Sequence, residues 1–308
     1  MEINERAYDS NLITRKYFDS LLLEMRHFDA VIPDTSFTLF GEAFKTPVMM
    51  AALSHLDKCH PDGLEEMAKG AKASGAVMWC GMGEDEELER VCKTGVKTIK
   101  IIKPHVSNEE IFREIAYAEE QGCMAVGMDI DHAYNHKGEY DNIFGNYPLA
   151  GKTTEELASF VKATKLPFII KGVLSVQDAK KCLEIGVGGI VVSHHHGIMD
   201  YAIPPLMALP KIAEVVQGKI PIFVDCGVES GMDVYKALAL GATAVSVGRA
   251  MMKPLTDDGA AGVAAKVEEI TASLAGTMAR TAVATLADID PSVIWMPNAY
   301  QQFKGKKY

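Results

Sequence analysis

Apolar residues in this chain gather into short unbroken runs, at 47–53, 76–81, 98–103, 125–130, 167–172, 188–193, 221–226 and 244–249. Runs of this length without polar alternation predict strands covered on both faces, as in a parallel sheet. Between them lie stretches with apolar positions at helical spacing: 63–74, 85–94, 108–121, 153–164, 176–185, 205–216 and 231–240. Start signals support several of these helices, such as Ser175 before Val176 and Ser107 with Glu110 three residues on. Gly75, Gly95, Gly122, Gly186 and Gly241 stand where helices should stop. Eight strand–helix alternations predict an α/β fold, a single (β/α)8 TIM barrel. The rival, an open doubly wound sheet, would carry a glycine fingerprint after its first strand, and none follows Leu53.

The barrel is expected to span 47–290, with 1–46 as an extension closing it and 291–308 as a tail. In the extension, 15–27 reads as an amphipathic helix and 34–41 as a hairpin on the barrel floor. A final helix is expected over 264–287, and 301–308 is a basic end. The connection after Ile130 is long and carries Tyr134, His136, Tyr140, Phe144 and Tyr147. It reads either as a lid over the catalytic face or as an ordered packing loop.

Composition narrows the class. The 308 residues are 48% hydrophobic, enough for one large core. A net charge of −10 argues against nucleic acid or an anionic membrane as partner. No apolar stretch is long enough to span a bilayer, and the first residues lack a signal-peptide core. Six scattered cysteines form no zinc or redox pair, and Cys80 and Cys226 are expected to act as small apolar groups. The expectation is a reduced, cytoplasmic protein acting on a small molecule.

In a parallel barrel the reacting groups collect at the carboxyl ends of the strands. Here those ends offer 51–54, Gly81, 100–103, 129–131, Lys171, 193–195, 225–227 and 248–249. Lys171 and His195 each follow a buried run and precede a glycine-bearing loop, and so many ionisable groups are costly to bury without a ligand. The turns Asp225-Cys226-Gly227-Val228 and Val247-Gly248-Arg249 stand after strands seven and eight, where βα barrels hold phosphate.

These segments resemble the FMN-dependent α-hydroxy-acid oxidase and dehydrogenase family, which includes glycolate and lactate oxidases. The resemblance covers roughly residues 30–290. It rests on Pro47–Ala52, His60-Pro61-Asp62-Gly63, Ile170–Val173, Val192–His195, Leu209-Pro210, Asp225–Val228, Lys236–Ala242 and Val247–Arg249. It implies FMN as cofactor, with Ala51, Ala52, Gly81, Lys100, Asp129, Ser193 and Asp225 around it and Lys171 at the flavin edge. Gly227, Gly248 and Arg249 would hold its phosphate, His195 would be the general base, and Asp131 would orient that base. A homo-oligomer, tetramer or octamer, is also implied, and no metal.

The chain also departs from the family pattern. Ile198 stands where an arginine would pair with a substrate carboxylate, and Lys137 is the one cation in 132–139. Lys100 and Asp129 replace a glutamine and a threonine, and Glu229 stands where the phosphate turn carries arginine. Small hydroxy acids are therefore expected to be poor substrates, and a charged substrate would meet Lys100, Lys103 or Lys137. Other classes remain open: an FMN-dependent isomerase or reductase, or an aldolase using Lys171 as Schiff-base nucleophile. A metal-dependent lyase using Asp129, Asp131, His132 and 194–196 is disfavoured, since adjacent strand residues face opposite ways. A binding barrel without catalysis leaves the buried ionisable groups unexplained.

Overall fold

The computed structural model describes residues 8–143 and 147–296. Eight parallel strands form one sheet: β1 Val48–Met50, β2 Met78–Cys80, β3 Thr98–Ile102, β4 Ala125–Asp129, β5 Phe168–Val173, β6 Gly189–Val192, β7 Ile222–Val224 and β8 Ala244–Val247. Neighbours follow chain order, β1 pairs with β8, and the Leu53–Cys80 bridge joins the end of β1 to β2, so the sheet closes into the expected barrel. Helices α2 Gly63–Ser74, α3 Asp85–Lys93, α4 Asn108–Glu120, α5 Thr154–Lys162, α6 Val176–Ile185, α7 Pro205–Val216 and α8 Gly231–Ala239 follow the first seven barrel strands in turn. Side-chain caps from Ser107, Thr153, Ser175 and Ser230 start four of them, each satisfying a backbone N–H that the helix itself cannot.

Strand parity divides the core in two. Met49, Trp79, Ile99, Ile101, Ile169, Val191 and Phe223 fill the barrel interior, with Trp79 edge-on to Phe223 at 5.1 Å. Leu39 and Phe44, from the hairpin Phe37–Leu39/Glu42–Phe44, join that cluster and close the floor as expected. The opposite parity of each strand packs outward on the helices.

Both terminal helices depart from expectation. The first, α1, spans Ser10–Ser20 instead of 15–27, capped by Asp9, because Leu22–Leu23 is drawn into an antiparallel ribbon with Ile294–Trp295. It also lies on the catalytic face, against the loops after β6 and β7, and not on the floor. The last, α9, spans Met252–Arg280 instead of 264–287, with a break at Asp258–Gly259. Its apolar stripe Val263, Val267, Ile270 and Leu274 packs inward, and Val283 N–H closes its end on the Met278 carbonyl. In the described part of the connection after Ile130, Tyr134 bridges Tyr140, Asn142–Ile143 pairs with Tyr147–Pro148, and Tyr147 donates to Glu84 at 2.6 Å. Phe144 lies outside the described residues.

The contact between α8 and α9 leaves no room at Gly231. A Cβ there would lie 2.1 Å from the Leu274 nitrogen and 2.5 Å from the Ile270 carbonyl oxygen, both helix backbone. Gly231→Ala should cost about 3 kcal/mol, the upper end for overpacking. Urea unfolding of the purified variant measures this, and an unshifted midpoint would show that the two helices separate freely.

Candidate active site at the carboxyl ends of the strands

The strand ends surround a cavity of ≈ 390 Å³. Of the residues singled out in the sequence, Ala51, Ala52, Gly81, Asp129, Lys171, His195, Asp225, Gly227, Gly248 and Arg249 line it. Asp131 and Ser193 are not in the lining. Ser193 is buried, and its hydroxyl accepts the His195 N–H at 3.0 Å. Lys100, Lys137 and Ile198 are not in the lining. Lys100 has the outward parity of β3 and donates to the Gly81 carbonyl at 2.6 Å, so its ammonium sits behind the wall. Lys137 is exposed in a turn organised by Asn135, and Ile198 is 41% exposed at the end of a tight turn on His194. Among the described residues after Ile130, Tyr134, His136, Tyr140 and Tyr147 are not in the lining, whereas His132 is.

The centre of the site is Asp129, the last residue of β4, buried and aimed along the barrel axis. Lys103 lies 2.7 Å from one of its oxygens; Lys171 lies 3.4 Å and His195 Nδ1 3.1 Å from the other. Burial alone would raise the pKa of this carboxyl, but Lys171, Lys103 and His195 together hold it well below the usual range. Lys171 is buried beside Asp129 in the register of β4 and β5, and its other neighbour, Asp225, lies at 3.7 Å. Burial disfavours its charge, yet these carboxylates raise its pKa, so it is a fixed ammonium and not the neutral amine that Schiff-base chemistry needs.

His195 follows β6 in a left-handed conformation, as does His196, so the 194–196 run is a turn and not a strand end. Its Nδ1 meets Asp131 at 2.6 Å, which leaves Nε2 for the cavity. Room for Asp131 comes from Gly172, where φ is +100° and a Cβ would fall 2.6 Å from an Asp131 oxygen. Burial and the neighbouring Asp129 push Asp131 up to about 6. Burial and Lys171 oppose protonation of His195, but Asp129 and Asp131 prevail and raise its pKa. The Asp131–His195 pair therefore titrates as a unit. Asp129, Asp131 and His195 place ligand atoms within 4.8 Å of one another, a spacing open to a metal ion. Two ammonium groups already contact Asp129, so a divalent cation there would be set against both.

Several contributors have parts in the site that the sequence did not assign to them. The α1 helix ties the site together: Thr14 meets His194 Nε2 at 2.7 Å, and Arg15 bonds both Asp233 and the Gly227 carbonyl. Gly197 N–H donates to His194 Nδ1, so His194 is a neutral structural tie. His132 packs 4.9 Å from the His195 ring; burial, Lys103 and His195 push its pKa to about 4. Cys226 is more than an apolar filler, since it lines the cavity in a left-handed turn and its thiol donates to Asp225 at 3.0 Å. Only Lys103 carried a readable signal, because it shares the inward parity of Ile99 and Ile101.

At the far end, the turns 226–229 and 248–250 meet the cavity. Among the described residues, the N–H groups of Gly227 and Val228 donate to no protein acceptor, and the exposed Arg249 contacts only Asn11, at 3.3 Å. Uncommitted amides and a guanidinium fit a phosphate, and Lys171 at the cavity centre fits the electron-rich ring of a flavin.

Comparison with known proteins agrees with that fit. Residues 7–150 and 145–296 match the model of the FMN-dependent dehydrogenase family. The chain belongs to that family, and FMN is its cofactor. It is 30% identical to glycolate oxidase 3 of Arabidopsis thaliana over 293 residues, 83% of this chain and 79% of that protein. It is 27% identical to L-lactate oxidase of Roseobacter sp. (strain GAI101), over 84% of this chain and 79% of that one. A mandelate oxidase variant carrying an FMN adduct superposes with a TM-score of 0.86 at 26% identity, covering 94% of this chain and 92% of its own.

Glu229 lines the same end of the cavity, where its carboxylate would oppose a phosphate. Arg249→Ala should weaken FMN binding about tenfold, and Glu229→Arg should tighten it. Fluorescence titration of FMN into the apoprotein measures both; equal dissociation constants would place the phosphate elsewhere.

Proposed function

We propose that this FMN-dependent enzyme oxidises a hydroxy acid, with His195 as the proton acceptor, Asp131 as its orienting partner and Lys171 as the cation at the cofactor. The observation that carries the reading is the 2.6 Å Asp131–His195 contact, which fixes the imidazole with Nε2 toward the cavity and beside the buried Lys171. Its family relatives, glycolate oxidase and L-lactate oxidase, support the substrate class.

FMN, when bound, supplies the two-electron acceptor. His195 Nε2 takes the proton of the substrate hydroxyl as the carbon-bound hydrogen leaves with its electron pair, giving a carbonyl. Asp129 and Asp131 stabilise the imidazolium that results. Lys171 keeps a positive charge at the cavity centre, where electron density accumulates. His194 and Ser193 hold the loop that carries His195. In the same reading the 47–290 barrel is the catalytic unit, and the protein is a cytoplasmic homo-oligomer. Its six cysteines are all free, as in a reducing compartment, and no described helix is long and apolar enough to cross a membrane.

The base must be neutral to accept a proton, and its pKa is raised. Flavin reduction by substrate should therefore fall as the pH drops through a midpoint above the ordinary imidazole value, and the loss should be complete at acid pH. His195→Asn should retain FMN but slow its reduction by about 10²–10⁴. Anaerobic stopped-flow bleaching across pH measures both, and a larger loss in His194→Asn would assign the base to the wrong histidine.

A further inference from the structure

We infer that Lys103 is the group that holds the substrate's anionic end, and so determines its preference for a carboxylate. The inference rests on the oxidation proposed above and on the distribution of charge around Asp129. Three cationic or protonatable groups converge on that one buried carboxylate. Lys171 has a second carboxylate in Asp225, and His195 has one in Asp131. Lys103 has no other among the described residues. An ammonium has three N–H donors, and among the described residues only one of Lys103's is engaged, by Asp129 at 2.7 Å.

Position agrees with charge. The side chain of Lys103 is only 11% exposed, so what accessible surface it keeps opens on the cavity that it lines. It follows β3, whereas the phosphate turns follow β7 and β8 on the opposite side of the closed sheet. Cofactor phosphate and substrate anion would thus be held at opposite ends, with Lys171 and His195 between them. Lys103 also shares the Asp129 carboxylate with His195, which sets the anion beside the base. Burial and Lys103 hold the pKa of the neighbouring His132 low, which disfavours a competing charge there; among the described residues its Nδ1 has no hydrogen-bond partner, and Asp141 lies 3.8 Å from it. A partly desolvated ammonium with open donors selects a carboxylate over a neutral ester of the same shape.

The test is equilibrium binding to the FMN-loaded protein, read by perturbation of the flavin spectrum, with pyruvate as the anionic probe and methyl pyruvate as the neutral one. Lys103→Met should weaken pyruvate about 10- to 100-fold, the loss of one charge-assisted contact, and methyl pyruvate and FMN by much less. Lys103→Arg should restore much of the pyruvate affinity. Unchanged pyruvate binding in Lys103→Met, no pyruvate binding by the native protein, or an equal loss for both probes would overturn the inference. Binding needs no turnover, so a native protein that binds pyruvate through Lys103, yet is reduced by no hydroxy acid, would refute the proposed oxidation alone.

Discussion

Everything at the catalytic end of this barrel is arranged around one buried carboxylate. Asp129 is taken out of water at the end of β4, a cost that only close cations offset. Lys103, Lys171 and His195 supply them from the ends of three further strands, so four barrel segments are fixed relative to one another at a single point. The same contacts set the chemistry. Asp129 keeps Lys171 charged, biases His195 toward holding a proton and raises the pKa of Asp131 by repulsion.

The second support is the α1 helix, which links the two halves of the site. Thr14 and Asn11 hold the loop of His194–His196, while Arg15 holds Asp233 and the Gly227 carbonyl of the turn after β7. Asp233 is buried and also accepts from the amides of Glu229 and Ser230, so the turn is shaped by a network behind the cavity. The rim can therefore change while the frame persists.

Much of this was legible in the sequence, because continuous apolar runs and helical periodicity report burial directly. The barrel strands and the helices that begin at Gly63, Val176 and Pro205 follow from that signal. What depended on pairing across the chain was not legible. Leu22–Leu23 reads as helical until Ile294–Trp295 is placed beside it, and α1 gives no hint in its own residues that it packs on the catalytic face. The 194–196 run reads as a strand end because left-handed backbone at two histidines has no sequence mark. Among the lysines the means were present: counting alternate residues along β3 separates inward Lys103 from outward Lys100.

The role of Asp129 is open to direct measurement through the histidine it faces. The His195 ring can be titrated by NMR in protein carrying ¹⁵N-histidine, with its signals assigned by their absence from His195→Asn. In the native protein the midpoint should lie above the ordinary imidazole value. In Asp129→Asn it should fall, since Lys171 would then repel the imidazolium with one carboxylate fewer to oppose it. A midpoint that Asp129→Asn leaves unmoved would mean that Asp131 alone governs His195, and that the convergence on Asp129 does not organise the site.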